Sequence, residues 1–244
     1  MKLKYLIILL IGIVLISGCV QQSDGGNISK DNNTNTTIMG SGGKIAGTDQ
    51  GESLSDILEK GAKINAMQYD LIITMTLKDG TKIVTTGKTW LEGSKTRIET
   101  KMKSAQGPPV EGIYINDGLV WYSYTYMPQF GKYIELSGKS PGPTTPKDLI
   151  KEQRLQISNV KTLGKEVVDG KSALVTEYTA TVGGVTSTIK SWYWVEKGIP
   201  VKSQATTSEY VSVNEYKNVI IGDVEDSVFE LLPDDMIVQI PGLT

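Results

Sequence analysis

Few side chains in this chain could carry chemistry. Histidine is absent from the 244 residues, and Cys19 is the single cysteine. The lack of histidine excludes Ser-His-Asp and Cys-His nucleophilic catalysis and nearly all zinc catalysis. Two acidic clusters, at residues 223–226 and 234–235, lack the alternating oxygen ligands of a calcium loop. We therefore predict no catalytic residue, no metal site and no cofactor.

The chemistry of Cys19 follows from the segment before it. Lys2 and Lys4 precede an apolar run over residues 5–16, and the box ISGC at residues 16–19 ends it. The run is shorter than the ~20 residues of a membrane-spanning helix, which favours a cleaved export signal over an uncleaved anchor helix. The segment resembles the lipoprotein signal peptides of bacteria and archaea. That resemblance implies cleavage before Cys19, whose thiol then carries a two-chain lipid that holds the protein on a membrane.

The next segment, residues 19–51, has the composition of a flexible linker. It is rich in Gln, Ser, Asp, Gly, Asn and Thr, with too few apolar residues to offset the entropy of ordering. A coil of about 30 residues spans ~30 Å, so the following domain can lean on the bilayer or stand clear of it. Acceptor sequons for N-glycosylation begin at Asn27, Asn32 and Asn35. Sequons beside a lipoprotein box lean towards an archaeal surface.

The charge balance argues against a nucleic-acid partner. The chain has 25 basic and 27 acidic residues, and removal of Lys2 and Lys4 with the signal leaves 23 against 27, a net charge of -4. Such a surface does not attract polyanions. We predict a signal peptide over residues 1–18, the linker over 19–51 and one domain over 52–244.

The domain begins with a helical pattern and continues with strands. Residues 54–65 carry an amphipathic stripe, and Ser53 with Asp56 forms a cap pair. From residue 66 the period is two, with Gly-containing turns such as Asp79-Gly80 and Asp169-Gly170. A second helix is predicted over residues 145–155 and a last short strand over 236–240. So long a sheet curls, which predicts a mainly β (α+β) fold, an incomplete antiparallel β-barrel of about eleven strands with two helices covering its concave face.

Two segments carry a family resemblance. The sequence WYWVEKGIPVK at residues 192–202 and FELLP at 229–233, together with the order of elements, resemble the LolA/LolB superfamily. That superfamily includes the mycobacterial lipoproteins similar to LppX and LprG. The resemblance spans roughly residues 54–241 and implies helices that form a lid over an apolar cavity for acyl chains. Predicted lipidation resembles the anchored members, so delivery of lipoproteins to an outer membrane is not expected.

Candidate ligand-lining residues come from one strand and from three tryptophans. The cleanest apolar face consists of Leu71, Ile73, Met75 and Leu77, which either line a cavity or form a dry core under the helices. Indole rings combine a large apolar area with a polar N–H group and suit a cavity mouth or a membrane-facing rim. The candidates of this kind are Trp121, Trp192 and Trp194. Alternation alone leaves open which face of their strands is concave.

Together these features predict a membrane-anchored, outward-facing lipoprotein. It would bind a lipid or another hydrophobic ligand in an apolar half-barrel, with its membrane contact through the lipid on Cys19. The alternative is a non-enzymatic sensory or scaffold domain with a filled core that binds a protein partner. An enzyme using carboxylates or lysine is the third class.

Overall fold

The period-two segments form eleven β-strands. The structure is a computed structural model that describes residues 52–104, 108–140, 160–182 and 185–238. Alternating β-branched, aromatic and polar residues favour strands because one face of each strand can be buried. The strands are β1 (Ala66–Leu77), β2 (Lys82–Glu92), β3 (Lys95–Ser104), β4 (Val110–Asn116), β5 (Val120–Met127), β6 (Lys132–Lys139), β7 (Lys161–Val168), β8 (Lys171–Val182), β9 (Val185–Trp194), β10 (Pro200–Thr206) and β11 (Tyr210–Ile221).

The strands make one open antiparallel sheet. Its order is β6-β5-β4-β3-β2-β1-β11-β10-β9-β8-β7, so two meanders of consecutive strands meet at a central β1–β11 pair. The edge strands β6 and β7 do not pair with each other. The prediction of about eleven antiparallel strands is therefore confirmed, and the sheet remains unclosed.

The β7–β8 hairpin shows how turn residues set the register. Asp169 (φ 48°) and Gly170 (φ 74°) both adopt left-handed backbone conformations. Consecutive left-handed residues define the type I′ turn, which Asp-Gly sequences favour because both residues tolerate this conformation. The turn places Val168 directly opposite Lys171. The Asp-Gly turn predicted here is confirmed.

One α-helix, α1 (Leu54–Gly61), precedes the sheet. The Asp56 backbone N–H donates to Ser53 Oγ at 3.2 Å, and the Ser53 backbone N–H donates to Asp56 Oδ2 at 3.2 Å. These reciprocal bonds form the predicted capping box. Among the described residues there is one α-helix and not the two that were expected, and the second predicted helix, over residues 145–155, lies outside them. No described helix has the length and apolar character to cross a bilayer.

Helix α1 packs on the β8 and β9 end of the sheet. Ile57 and Leu58 are buried there against Leu174 and Tyr193. Burial of each aliphatic side chain contributes roughly 1.5–3 kcal/mol. Gly198, in the β9–β10 turn, permits the close approach, because a Cβ at this position would collide with the carbonyl oxygen of Ile57.

The segment after β11, residues 222–238, is called the tail. It contains two short 3-10 helices, Asp226–Phe229 and Asp234–Met236. Arg97 of β3 fastens it, because Nη1 donates to the carbonyl oxygens of Val228 at 3.1 Å and Glu230 at 3.0 Å. The tail therefore lies against the β3 side of the sheet.

The strand predicted over residues 236–240 is wrong in its described part. Ile237 makes only an isolated parallel bridge to Tyr133 of β6. Pro233 and the two aspartates that follow it favour a turn, and the resulting 3-10 helix takes up Met236. Apolar residues do recur in this segment, but the turn-favouring residues before it determine its backbone conformation.

Candidate functional site

Strand register divides the sheet into two faces. Leu71 of β1 lies directly opposite Tyr216 of β11, so their side chains share a face. Followed across the sheet, this is the face on which α1 packs against Tyr193, and we call it the helix face. The other face carries Tyr124, which packs against Ile237 of the tail, and we call it the tail face.

The charged side chains of the strands lie almost entirely on the tail face. Among the strand residues that the structure describes, every Asp, Glu, Lys and Arg of β1–β5 and β8–β11 has tail-face register. Among these strand residues, helix-face charge occurs only on the two edge strands, at Lys132 of β6 and Lys165 of β7. An uncharged surface has a small desolvation penalty. The helix face is therefore the one that a covering apolar group can bury.

The tail-face charges pair in register. Wherever two described charged residues lie directly opposite each other on neighbouring strands, their signs are opposite, an arrangement that stabilises antiparallel pairs. The pairs are Asp70–Lys88, Asp70–Lys217, Lys88–Glu99, Glu92–Lys95, Lys101–Glu111, Lys161–Glu177, Glu177–Lys190 and Lys202–Glu215. This compensated surface is suited to contact with water.

Hydrogen bonds and ion pairs at the tail face lower carboxyl pKa values. Lys217 Nζ lies 2.7 Å from Asp169 Oδ2, and this bond holds the pKa of Asp169 below its usual range. Trp192 Nε1 donates to Glu166 Oε2 at 2.7 Å and lowers the pKa of Glu166, with a further contribution from Lys190. Both groups are therefore ionised at neutral pH.

Tyrosines occupy the middle of the helix face. Tyr69 and Tyr216 are buried, and their rings meet edge to face with centroids 5.4 Å apart. Burial raises the pKa of each phenol, and each hydroxyl has a hydrogen-bond partner, Thr89 for Tyr69 and Ser203 for Tyr216. The centre of this face thus offers hydrogen-bonding groups that stay uncharged.

Other buried polar residues also place neutral hydrogen-bonding groups on the helix face. Each buried serine, threonine or asparagine side chain in the described part of the chain has helix-face register. These residues are Thr85, Thr89, Thr96, Asn116, Thr176 and Ser191. The helix face is consequently apolar in bulk but contains a set of neutral donors and acceptors.

The four predicted lining residues of β1 all lie on the helix face. Leu71 and Met75 are buried, whereas Ile73 and Leu77 are half-buried. Further along the same face, Leu136 of β6 is 53% exposed. Apolar surface on the β1–β6 side of this face is therefore still available to a ligand.

A row of small side chains crosses the helix face next to Leu71. Gly87 of β2, Thr100 of β3 and Gly112 of β4 lie in direct register. Ile98 and Met102, two residues before and after Thr100, are half-buried on the same face. At about 3.3 Å per residue these two side chains stand ~13 Å apart along β3. The row between them carries only small side chains, and we call it the trough.

Trp121 joins the residues of β1 on the helix face. It lies opposite Asn116 of β4 and Gly138 of β6. A Cβ at Gly138 would lie 3.0 Å from the indole ring, so glycine at this position allows the ring to lie flat on β6. Trp121 is therefore an apolar plate at the β5–β6 side of the candidate site.

Trp192 and Trp194 lie on the tail face, away from the other candidates. Trp192 is buried, and its ring lies under the ammonium groups of Lys190 at 4.6 Å and Lys202 at 4.8 Å. It packs with Val175 in a small core on that face. The structure thus places Trp121 on the same face as the β1 residues, four strands away, and places Trp192 and Trp194 on the opposite face.

A surface hollow of about 560 Å³ lies at the β1–β4 part of the tail face. Its lining includes Lys88, Glu99, Lys101 and Glu111. Ligand pockets for apolar molecules are lined mainly by apolar and aromatic groups. The hollow therefore does not match a hydrophobic ligand.

Cys19 and the sequons at Asn27, Asn32 and Asn35 lie outside the described residues, and their modification stays a prediction. Within the described ranges, no group of three or more Asp, Glu, His or Cys side chains is arranged to hold a metal ion.

The sequence reasoning missed Tyr69 and Thr96. Tyr69 lies two residues before Leu71 in β1, so its side chain points to the same face. Extending the apolar alternation by two residues would have identified Tyr69 as a helix-face residue. Thr96 gives no comparable signal, because exposed strands are also rich in threonine.

The fold and the site define an open antiparallel sheet with one charged face and one uncharged face partly covered by a helix. Solved structures with similar folds include a LolA superfamily protein from Nitrosomonas europaea, 16% identical over 74% of this chain and 98% of that one, with a TM-score of 0.37. Lipoprotein LppX from Mycobacterium tuberculosis is 12% identical over 70% of this chain and 97% of its own, with a TM-score of 0.45. LprF from Mycobacterium bovis is 12% identical over 70% of this chain and 94% of its own, with a TM-score of 0.41.

These similarities concern the fold alone. Neither a protein-family model nor a curated protein matches the chain.

Proposed function

We propose that this chain is a membrane-anchored extracytoplasmic lipoprotein that binds a lipid or another hydrophobic ligand on the helix face. The observation that supports this function is the absence of charge on that face across the described residues of β1–β5 and β8–β11. Half-buried apolar side chains, including Ile73 and Ile98, accompany it. A face that only had to meet water would carry charges, as the tail face does.

Hydrocarbon burial supplies the binding energy. Each buried methylene contributes about 0.8 kcal/mol, so ten methylenes laid along the trough give roughly 8 kcal/mol. Association costs on the order of 4–15 kcal/mol in lost freedom. The contribution of one such chain falls within the range of that cost, whereas two chains, at roughly 16 kcal/mol, exceed it. A two-chain lipid is therefore the favoured ligand, with Leu71, Ile73, Met75, Leu77 and Trp121 as the lining residues.

The predicted anchor gives the ligand a source. Lipid on Cys19 and a flexible linker would keep the domain within ~30 Å of a bilayer. Because the tether is long, the helix face can turn towards the membrane to take up a lipid and away from it to release one. No helix–membrane span is needed for this function.

Native mass spectrometry of the gently purified chain tests this function. We expect a species heavier than the bare protein by the mass of a membrane lipid. An Ile73→Asp variant places a charge on the helix face and should lose that adduct. The matched control is Thr74→Asp, which places the same charge on the tail face and should retain the adduct. If wild-type protein stays bare after incubation with membrane lipids, the scaffold function replaces this one.

A further inference from the structure

A buried hydroxyl on the helix face has no partner. Thr96 of β3 is 6% exposed, and its Oγ1 makes no hydrogen bond. Leaving a buried donor or acceptor unsatisfied costs the free energy of its lost hydration. Such a group is uncommon in a native protein, and a ligand that supplies the missing bond removes the cost.

The neighbours of Thr96 form a small neutral subsite. Asn116, 2% exposed, lies directly opposite on β4, and Leu91 lies opposite on β2. Trp121 follows Asn116 in the same row. The subsite therefore combines a hydroxyl, an amide and an indole plate, with no ionisable group among them.

The position of this subsite relative to the trough suits an amphiphile. Thr96 and Thr100 are four residues apart on β3, so about 13 Å separates the unpartnered hydroxyl from the trough. A lipid with its chains in the trough would hold its polar end near Thr96.

Charge decides which polar end fits. Among the described strand residues, the helix-face cations Lys132 and Lys165 lie on the two edge strands, and Thr96 lies on an inner strand. A phosphate buried beside Thr96 would lose its hydration without gaining a cation from the neighbouring strands, because Leu91 and Asn116 lie opposite Thr96. A hydroxyl or an ester carbonyl loses far less and can bond to the Thr96 hydroxyl. We propose, building on the lipid-binding function above, that the ligand carries an uncharged hydrogen-bonding group and that Thr96 binds this group.

The test compares two lipids with identical chains. The full mature chain in mild detergent is offered a diacylglycerol and the matching phosphatidic acid, and bound lipid is quantified by native mass spectrometry. We expect the diacylglycerol to bind at least tenfold more tightly. Equal binding of the two lipids would overturn this inference but leave the proposed function standing. Binding of neither lipid would overturn both.

Thr96→Val tests the residue itself, because it keeps the shape and removes the hydroxyl. We expect the ligand-free variant to have a higher melting temperature, because the unpaired hydroxyl is gone. We also expect it to bind diacylglycerol about five- to tenfold more weakly, which is the effect of one lost hydrogen bond. Thr89→Val is the matched control. It removes the partner of the Tyr69 hydroxyl and should lower the melting temperature. A Thr96→Val chain that melts lower, or that binds diacylglycerol as wild type does, would contradict the role of Thr96.

Discussion

Gly87 and Lys88 are neighbours in β2 but face opposite sides of the sheet. Lys88 lies between two carboxylates on the tail face, whereas Gly87 lies between Leu71 and Thr100 on the helix face. A single step along the strand thus separates a charge-paired, water-facing surface from an uncharged one. In this sheet, therefore, the environment of a strand residue depends on which of the two alternating faces its side chain points to, and not on its place along the chain.

The largest expected difference between the faces comes from adding one charge to each. Leu71→Lys would bury an unpaired ammonium group on the helix face and should lower the free energy of unfolding by about 3–5 kcal/mol. Ile72→Lys places the same group on the tail face opposite Glu215 and should change it by less than about 1 kcal/mol. Chemical denaturation of both variants measures the difference. Equal losses would show that the faces are not distinct environments.

A smaller effect on stability is expected from a substitution at the contact between α1 and the helix face of the sheet. Gly198→Ala forces a Cβ into the backbone of α1 at a residue with φ 72°, so we expect about 3 kcal/mol of destabilisation and loss of helix contacts. Gly170→Ala is the control, with φ 74° but open space around the added Cβ, and should cost only about 1–2 kcal/mol. Thermal melting and hydrogen exchange of α1 report both. Similar losses in the two variants would mean that α1 does not close on the sheet at Gly198.

The smallest expected effect is on the pH dependence of stability, in which carboxyl groups of the tail face act at acid pH and buried tyrosines act at alkaline pH. At the tail face the lowered pKa values of Glu166 and Asp169 stabilise the fold above about pH 4, and this stability is lost as the pH falls. On the helix face the raised pKa values of Tyr69 and Tyr216 act oppositely. Unfolded phenols ionise first, so stability is lost as the pH rises above about 10.

Melting temperatures across the pH range separate these limbs. Glu166→Gln removes one of several contributing carboxyls, so it should make the acid limb less steep and leave the alkaline limb unchanged, whereas Tyr216→Phe should make only the alkaline limb less steep. Absorbance of tyrosinate follows the phenols directly. Ionisation of Tyr69 and Tyr216 near pH 10 in the folded protein would contradict their burial.

Local features of the fold could be predicted because their signals are local. Alternation placed Leu71, Ile73, Met75 and Leu77 on one face, and the Ser53 capping box marked the start of α1. The Asp-Gly turns set the hairpins for the same reason. Each of these signals lies within a few residues of the structure it determines.

Long-range features could not be predicted from the same signals. Trp192 and Trp194 alternate as regularly as the β1 residues, but their face depends on which strands lie between β9 and β1. In the strand order, β10 and β11 lie between β9 and β1. No residue near Trp192 determines which strands take these positions. For the same reason the subsite at Thr96 became visible only once its burial and its missing partner were known.

The central pairing of the first strand with the last has a consequence for biosynthesis. Leu71 needs Tyr216 opposite it, and the loop between them closes late because joining distant segments costs entropy and slows folding. A chain synthesised from its N-terminus therefore exposes one side of β1 until β11 has emerged. A product truncated before Tyr210 would keep that bare edge in the middle of its sheet. Such an edge recruits other strands, so truncation should yield aggregates and not a smaller folded protein.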